Sequence, residues 1–171
     1  SFDVLEKAGD AVAAIIGAGI IPAGLEMMDQ LTIAAVEPFV DAGYPLDAAA
    51  ILLCESDGTP DEVADEIALM QTLLESSGAT TIQVSQSEAQ RLKFWSGRQA
   101  AFPAAGRISP DYYCIDRTIP RRSLAPVLTR IDALPGEFGP PCLNLLHAGV
   151  GTPPPPTRFP ASYLPTLSAP F

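Results

Sequence analysis

The sequence predicts an α+β fold, a mostly antiparallel sheet covered by helices on one face. Three observations carry this. Segments with apolar residues at helical spacing alternate with short apolar runs of strand length. Glycine, proline and Asx residues punctuate nearly every junction. Alternation also permits a parallel doubly wound sheet, but no strand is followed by GxGxxG or GxxxxGK[ST], so a nucleotide-binding sheet has no support. With 171 residues, 47% of them apolar, the chain is long enough for one unstapled core plus a tail.

Residues 4–18 read as a helix, with Leu5, Ala8, Val12, Ile15 and Ile16 on one face and Gly17 and Gly19 ending it. Ile20 to Met28 reads as a short strand, because Pro22 and Gly24 interrupt any helix. Asp29 caps a second helix carrying Leu31, Ile33 and Val36, with Pro38 in its last stretch and Gly43–Tyr44–Pro45 as the stop. Ala48 to Cys54 is a buried strand. The next helix is the clearest: Thr59 caps it, Pro60 opens it, and Glu62 completes a capping box. Its stripe is Val63, Ile67, Met70 and Leu74, and Gly78 stops it. Thr80 to Val84 is a β-branched strand. Ser85 and Glu88 form a second capping box for a helix through about Ala101. Pro103 to Pro110 reads as a loop, Tyr112 to Ile119 as a strand, and Pro120 opens a helix with Leu124, Val127, Leu128 and Ile131. Cys142 to His147 is the last strand.

Net charge is −10. Phosphate recognition needs clustered Lys and Arg, so a general affinity for nucleic acid is excluded. The charge is uneven. Residues 1–90 hold sixteen acids and one base, whereas residues 91–171 hold nine bases and four acids. The second half therefore suits an anion, or the acidic helices simply face water. Cys54, Cys114 and Cys142 lie far apart with no CxxC, which predicts reduced, buried thiols and a cytosolic setting. No apolar run reaches the roughly 20 residues of a membrane span. The sequence opens on Ser1 rather than Met, so upstream residues are expected.

Few residues suit chemistry. His147 is the single histidine, at the end of an apolar strand and before Gly149 and Gly151. It is either a functional imidazole or a core histidine with satisfied nitrogens. Arg98 lies in Phe94–Trp95–Ser96–Gly97–Arg98. Arg91, Trp95 and Arg98 are spaced four and three apart and share a helix face. An arginine beside an aromatic ring either grips a carboxylate with its planar fork or lies over the ring as surface packing. Arg117, Arg121 and Arg122 follow Asp116, and ion pairing is their default reading. No nucleophile elbow is present.

Several runs together resemble the FAD-binding subunits of bacterial glycolate oxidase. They are Ile21–Pro22–Ala23–Gly24–Leu25–Glu26–Met27–Met28–Asp29, Gly43–Tyr44–Pro45–Leu46–Asp47, Ile51–Leu52–Leu53–Cys54–Glu55 and Phe94–Trp95–Ser96–Gly97–Arg98. Gly106–Arg107–Ile108–Ser109–Pro110–Asp111–Tyr112–Tyr113–Cys114, Thr118–Ile119–Pro120–Arg121–Arg122 and Asn144–Leu145–Leu146–His147–Ala148–Gly149 complete the set. The likeness is collinear over residues 1–151. It implies part of an FAD-linked oxidase C-terminal, or substrate-cap, domain. FAD is then the parent's cofactor, bound by a domain outside this chain, and the substrate is a 2-hydroxyacid such as glycolate or D-lactate. The resemblance implies that Arg98 binds the substrate carboxylate and that His147 is catalytic at the hydroxyl, as a ligand to a divalent metal. The implied partners are the flavin domain and other glycolate oxidase subunits, including an iron–sulfur subunit. The implied location is the cytoplasm, with peripheral attachment to the inner membrane through those subunits. A face exposed by loss of the flavin domain would allow homo-oligomers.

The likeness breaks after Gly149. The family pattern His-Ala-Gly-Asp-Gly-Asn-Leu-His-Pro has Val150 for Asp, Thr152 for Asn and Pro154 for the second His, and Arg117 stands where glycine is usual. With one histidine and no acid after Glu137, a complete metal site is not expected. Residues 152–171 form a proline-rich irregular tail. Pro154–Pro155–Pro156–Thr157–Arg158–Phe159 can be encoded by codons that, shifted one base, read Leu-His-Pro-Leu-Val, the way the family continues. The tail is therefore expected to be out of frame from near Gly151, and the isolated cap fragment inactive. In the coding DNA, a single-base shift near Gly151 should restore a family-like continuation. A reading frame that offers none would leave the tail native.

Overall fold

The computed structural model describes residues 1–109, 111–114, 119–120, 123–139, 142–149 and 156–157. Five helices are described: α1 (Leu5–Gly17), α2 (Gln30–Val40), α3 (Pro60–Ser76), α4 (Glu88–Ile108) and α5 (Leu124–Phe138). The strands are β1 (Gly24–Asp29), β2 (Ala50–Glu55), β3 (Tyr113–Cys114), β4 (Leu145–His147) and β5 (Pro156–Thr157). The main sheet has the order β2-β1-β4, with β1 antiparallel to both neighbours. The fold is therefore α+β with an antiparallel sheet.

Helices cover both faces of this sheet, not one. Side chains alternate along a strand, and β1 is buried throughout from Leu25 to Asp29. Leu25 and Met27 face a core shared with Val12 and Ile15 of α1, Met70 of α3 and Leu128 of α5. Met28 faces the opposite core, with Ile33 and Val36 of α2 and Ala101 and Ala104 of α4. A strand buried on both faces reads as a continuous apolar run, so its sequence carries no alternation to count faces by.

Local chemistry explains most boundaries. Thr59 and Glu62 form the expected capping box, with the Glu62 carboxylate accepting from Thr59 N at 2.9 Å. Ser87, rather than Ser85, caps α4 and accepts from Gln90 N at 3.3 Å. The expected loop from Pro103 is instead helix as far as Ile108. Ala101, Ala104 and Ala105 are all buried there, and their packing overrides the proline's lost N–H. Arg107 also lies over the Phe39 ring, 5.4 Å from its centroid, tying the end of α4 to α2. Thr80 to Val84 forms no strand. Among the described residues its backbone meets other backbone only at Ser1. The strand expected at 112–119 is reduced to Tyr113–Cys114, and residues 115–118 lie outside the described residues. Within the expected irregular tail, Pro156–Thr157 pairs antiparallel with Tyr113–Cys114. Pro120 does not open a helix directly; α5 begins at Leu124.

No two cysteines are joined by a disulfide, and Cys142 is buried. Cys114 is exposed, contrary to expectation, because its strand packs outside both cores. Burial pushes the Cys54 thiol up to about 12. Among the described residues no helix is long and apolar enough to cross a membrane.

Asp29, at the junction of β1 and α2, is 4% exposed. Its carboxylate accepts from Thr32 N at 2.8 Å, capping α2, and from both Asn144 N and Asn144 Nδ2 at 2.8 Å. Burial nonetheless pushes its carboxyl up to about 6 from the usual 3.8. A carboxyl that holds its proton more tightly when folded favours the fold below the unfolded value. That contribution is lost as pH rises through the folded value. Asparagine at this site does not titrate and would turn one donor toward another. In denaturant melts, Asp29→Asn should be less stable than the parent, by about 1–3 kcal/mol. The gap should narrow as pH rises from about 4 to about 6 and then level off. A gap independent of pH would mean that Asp29 is not the buried titrating group.

Candidate active site

The sheet brings three distant residues together. β1 and β4 pair with Glu26 opposite His147 and Met28 opposite Leu145. Residues directly opposite on an antiparallel pair share a face, so Glu26 and His147 both point toward α4. Arg98 reaches down from α4. Its Nε donates to Glu26 Oε2 at 2.8 Å, and its Nη2 lies 3.0 Å from His147 Nε2. His147 Nδ1 makes a short contact with Glu26 Oε1. One carboxylate thus holds both cationic-type side chains, and the two also touch each other.

The register of α4 on the sheet follows from two close approaches. Gly24, two residues before Glu26 on the same face, lies under Trp95. A Cβ there would come 2.7 Å from the indole ring. One turn further along α4, Tyr44 inserts its hydroxyl against the helix. Gly97 N donates to Tyr44 Oη at 3.1 Å, and the hydroxyl donates to the Phe94 carbonyl. A Cβ on Gly97 would lie 2.6 Å from that oxygen. Burial pushes the Tyr44 phenol up to about 12, which keeps it a neutral donor. Arg91, two turns before Arg98, is held by Glu88 at 2.7 Å and by Glu55 at 3.1 Å. Arg91, Trp95 and Arg98 do share one face, and that face rests on the sheet.

The hydrogen-bond pattern fixes the imidazole's protons. Guanidinium can only donate, so Nε2 of His147 accepts. The proton then sits on Nδ1 and is directed at Glu26, as the tautomer-orienting partner of a functional histidine does. Glu26 is 8% exposed, while the His147 side chain is 49% exposed. The cluster is anchored inside and open at the imidazole. Chemically it offers a hydrogen-bond acceptor at Nε2 backed by a carboxylate, beside a guanidinium with two of its five donors committed.

Neither implied group has a home in these residues. Among the described residues, no group of three or more His, Cys, Asp and Glu could hold a metal ion. A guanidinium faces His147 Nε2, and the Glu26 carboxylate faces Nδ1. Among the described residues, the β1–α2 and β2–α3 turns do not cradle phosphate either. β1 runs straight into α2 through Asp29, and the β2–α3 turn places the Glu62 carboxylate beside Gly58.

Residues 1–156 match the family described as FAD linked oxidases, C-terminal domain. The chain belongs to that family. It is 54% identical over 151 residues to the protein named glycolate oxidase subunit GlcD of Escherichia coli strain K12, covering 88% of this chain. The GlcD subunit of Bacillus subtilis strain 168 is 29% identical over 150 residues. A probable mitochondrial D-lactate dehydrogenase of Danio rerio is 23% identical over 155 residues. The chain spans about 30% of the length of these relatives.

Sequence reading singled out Arg98 and His147 but missed Glu26, which bonds to both. The available signal was an acid between Leu25 and Met27, inside an otherwise apolar strand. The cluster Arg117, Arg121 and Arg122 and the positions Val150, Thr152 and Pro154 lie outside the described residues. Because His147 is the chain's single histidine, its ring nitrogens give an unambiguous NMR signal. Near neutral pH the ¹⁵N spectrum should show the Nδ1–H tautomer, and Glu26→Gln should shift it toward a mixture. An Nε2–H tautomer in the parent would contradict the arrangement.

Proposed function

We propose that the chain is part of the substrate cap of an FAD-dependent 2-hydroxyacid oxidase or dehydrogenase acting on glycolate or D-lactate. The observation that carries this is the convergence of Arg98 and His147, 49 residues apart, on the single carboxylate of Glu26. The names of the relatives supply the substrate class, a short hydroxyacid. Residues 1–151 are the cap portion in this reading, and 152–171 the out-of-frame tail. Flavin, carried by the parent's other domain, supplies the hydride acceptor.

This chain's residues do the rest. The remaining donors of Arg98 bind the substrate carboxylate. When the Arg98 guanidinium turns from the imidazole to the substrate carboxylate, His147 Nε2 is freed to accept the proton of the 2-hydroxyl, and Glu26 stabilises the imidazolium that forms through its bond to Nδ1. Acceptance of that proton also balances the charge, because Glu26 and the bound substrate carboxylate together outweigh Arg98 by one negative charge. The parent works with further subunits, an iron–sulfur subunit among them, in the cytoplasm or at the inner membrane surface.

A second reading is a non-catalytic domain that binds a small carboxylate or a partner subunit. The proline-rich tail and the break in the His motif after Gly149 favour it for the isolated chain. Purified chain should be colourless and should not bleach added FAD with glycolate. Flavin bound and reduced by glycolate would overturn the fragment reading. In calorimetry, Arg98→Ala should weaken glycolate or lactate binding by about 1–3 kcal/mol, the range for a charge-assisted hydrogen bond. Unchanged affinity would remove Arg98 from the site.

A further inference from the structure

A cavity of about 220 Å³ lies away from this cluster, at the open edge of β2. Along its two long sides run Ile51 to Leu53 of β2 and Thr81 to Gln83. Leu74 of α3 and Phe94 of α4 also line it. Those helices belong to opposite faces of the sheet: α3 contributes to the core under Met27, and α4 to the core under Met28. A space with strand-forming backbone on two sides and a helix on each of the other two has the surroundings of a central strand.

The first two residues already behave as the end of one. Phe2 faces β2: its N–H donates to Ala50 O at 2.9 Å, and Ala50 N–H returns a bond at 3.3 Å. Ser1 faces the other way: its amine donates to Thr81 O at 2.7 Å, and Thr80 N donates to Ser1 O at 2.9 Å. Successive residues that bond to opposite neighbours are the mark of a strand with a partner on each side. The bridge between Phe2 and Ala50 is antiparallel. Because the outward bonds of β2 recur every second residue, the N–H and C=O groups of Leu52 and Cys54 also point into the slot. This explains why Thr80 to Val84, β-branched and strand-like in sequence, has no ladder: its partner's place is vacant beyond Ser1.

We infer that the slot receives a β-strand continuous with Ser1–Phe2, supplied by polypeptide joined ahead of Ser1 and running antiparallel to β2 and to residues 80–84. The residue directly ahead of Ser1 lies opposite Leu52, and the third residue ahead lies opposite Cys54. Apolar side chains meet Leu74 on one face and Phe94 on the other. The main sheet then gains two strands, the inserted one and 80–84, beyond β2. The curated relatives are about three times as long as this chain's matched stretch, so they carry polypeptide outside it. Burial also holds the Ser1 amine below its ordinary range. A peptide bond at that position replaces a poorly solvated charge with a neutral strand group.

The test extends the full chain ahead of Ser1 by about six residues, the usual strand length, alternating threonine and valine. A control extension carries proline opposite Leu52 and Cys54, where it offers no N–H to the ladder. The threonine–valine extension should slow amide exchange at Leu52 and Cys54 by at least about tenfold. It should raise the thermal midpoint by at least about 4 °C. The proline extension should do neither. Unchanged exchange with the first extension overturns the inference. Equal stabilisation by both extensions also overturns it, because the slot would then be taking apolar side chains rather than a strand. An unextended chain that is dimeric, with Leu52 and Cys54 already protected, overturns it in favour of a second copy as the occupant.

Discussion

The arrangement of the site depends on one buried carboxylate. Asp29 ends β1, caps α2 and takes two hydrogen bonds from Asn144, the residue before β4. Two further bonds close the unit: Asp29 N donates to Asn144 O at 3.0 Å, and Thr32 Oγ1 donates to the same carbonyl at 3.1 Å. All three residues are almost fully buried. A slip of one residue in β4 would leave the carboxylate and the asparagine amide unsatisfied inside the protein, which costs far more than a mismatched apolar pair. It would also turn His147 to the other face. The polar unit therefore selects a register, and that register places His147 opposite Glu26.

The third member of the cluster is fixed by steric absence. Gly24 and Gly97 have no side chain at the two points where α4 meets the start of β1 and the Tyr44 loop. Trp95 fills the first gap and the Tyr44 hydroxyl enters the second. With the helix seated in this way, Arg98 is directed at Glu26 rather than at solvent, and its side chain is only 19% exposed. A charge pair this far inside is costly to desolvate unless its hydrogen bonds are complete. Here Glu26 accepts from Arg98 and His147 together. The strain-free seating of α4 and the satisfied polar cluster support each other.

Local elements were legible where the signal was local. The capping box at Thr59, the Asp29 cap and the apolar stripe of α3 all lie within a few residues of what they control. The same holds for α1 and for the face shared by Arg91, Trp95 and Arg98. The failures are equally physical. Proline at 103 reads as a break, yet the alanines around it are packed against α2 and the helix continues. Thr80 to Val84 has the composition of a strand, but a strand is a pairing, and its neighbour is lacking. The count of covered faces was hidden because β1 is buried on both sides.

By itself the sequence determined that this is an α+β chain of the FAD-linked oxidase C-terminal kind, and it drew attention to Arg98 and His147. Resemblance and residue type suffice for that, because motifs keep their order along the chain. The tertiary structure decided what those residues do to each other. Glu26 was invisible as a member, since nothing in a linear string relates positions 26, 98 and 147. Strand register and helix seating place them within hydrogen-bond distance. That contact selects the imidazole tautomer and sets a guanidinium against Nε2. Proton position and charge balance are properties of distances, and distances exist only in the folded chain.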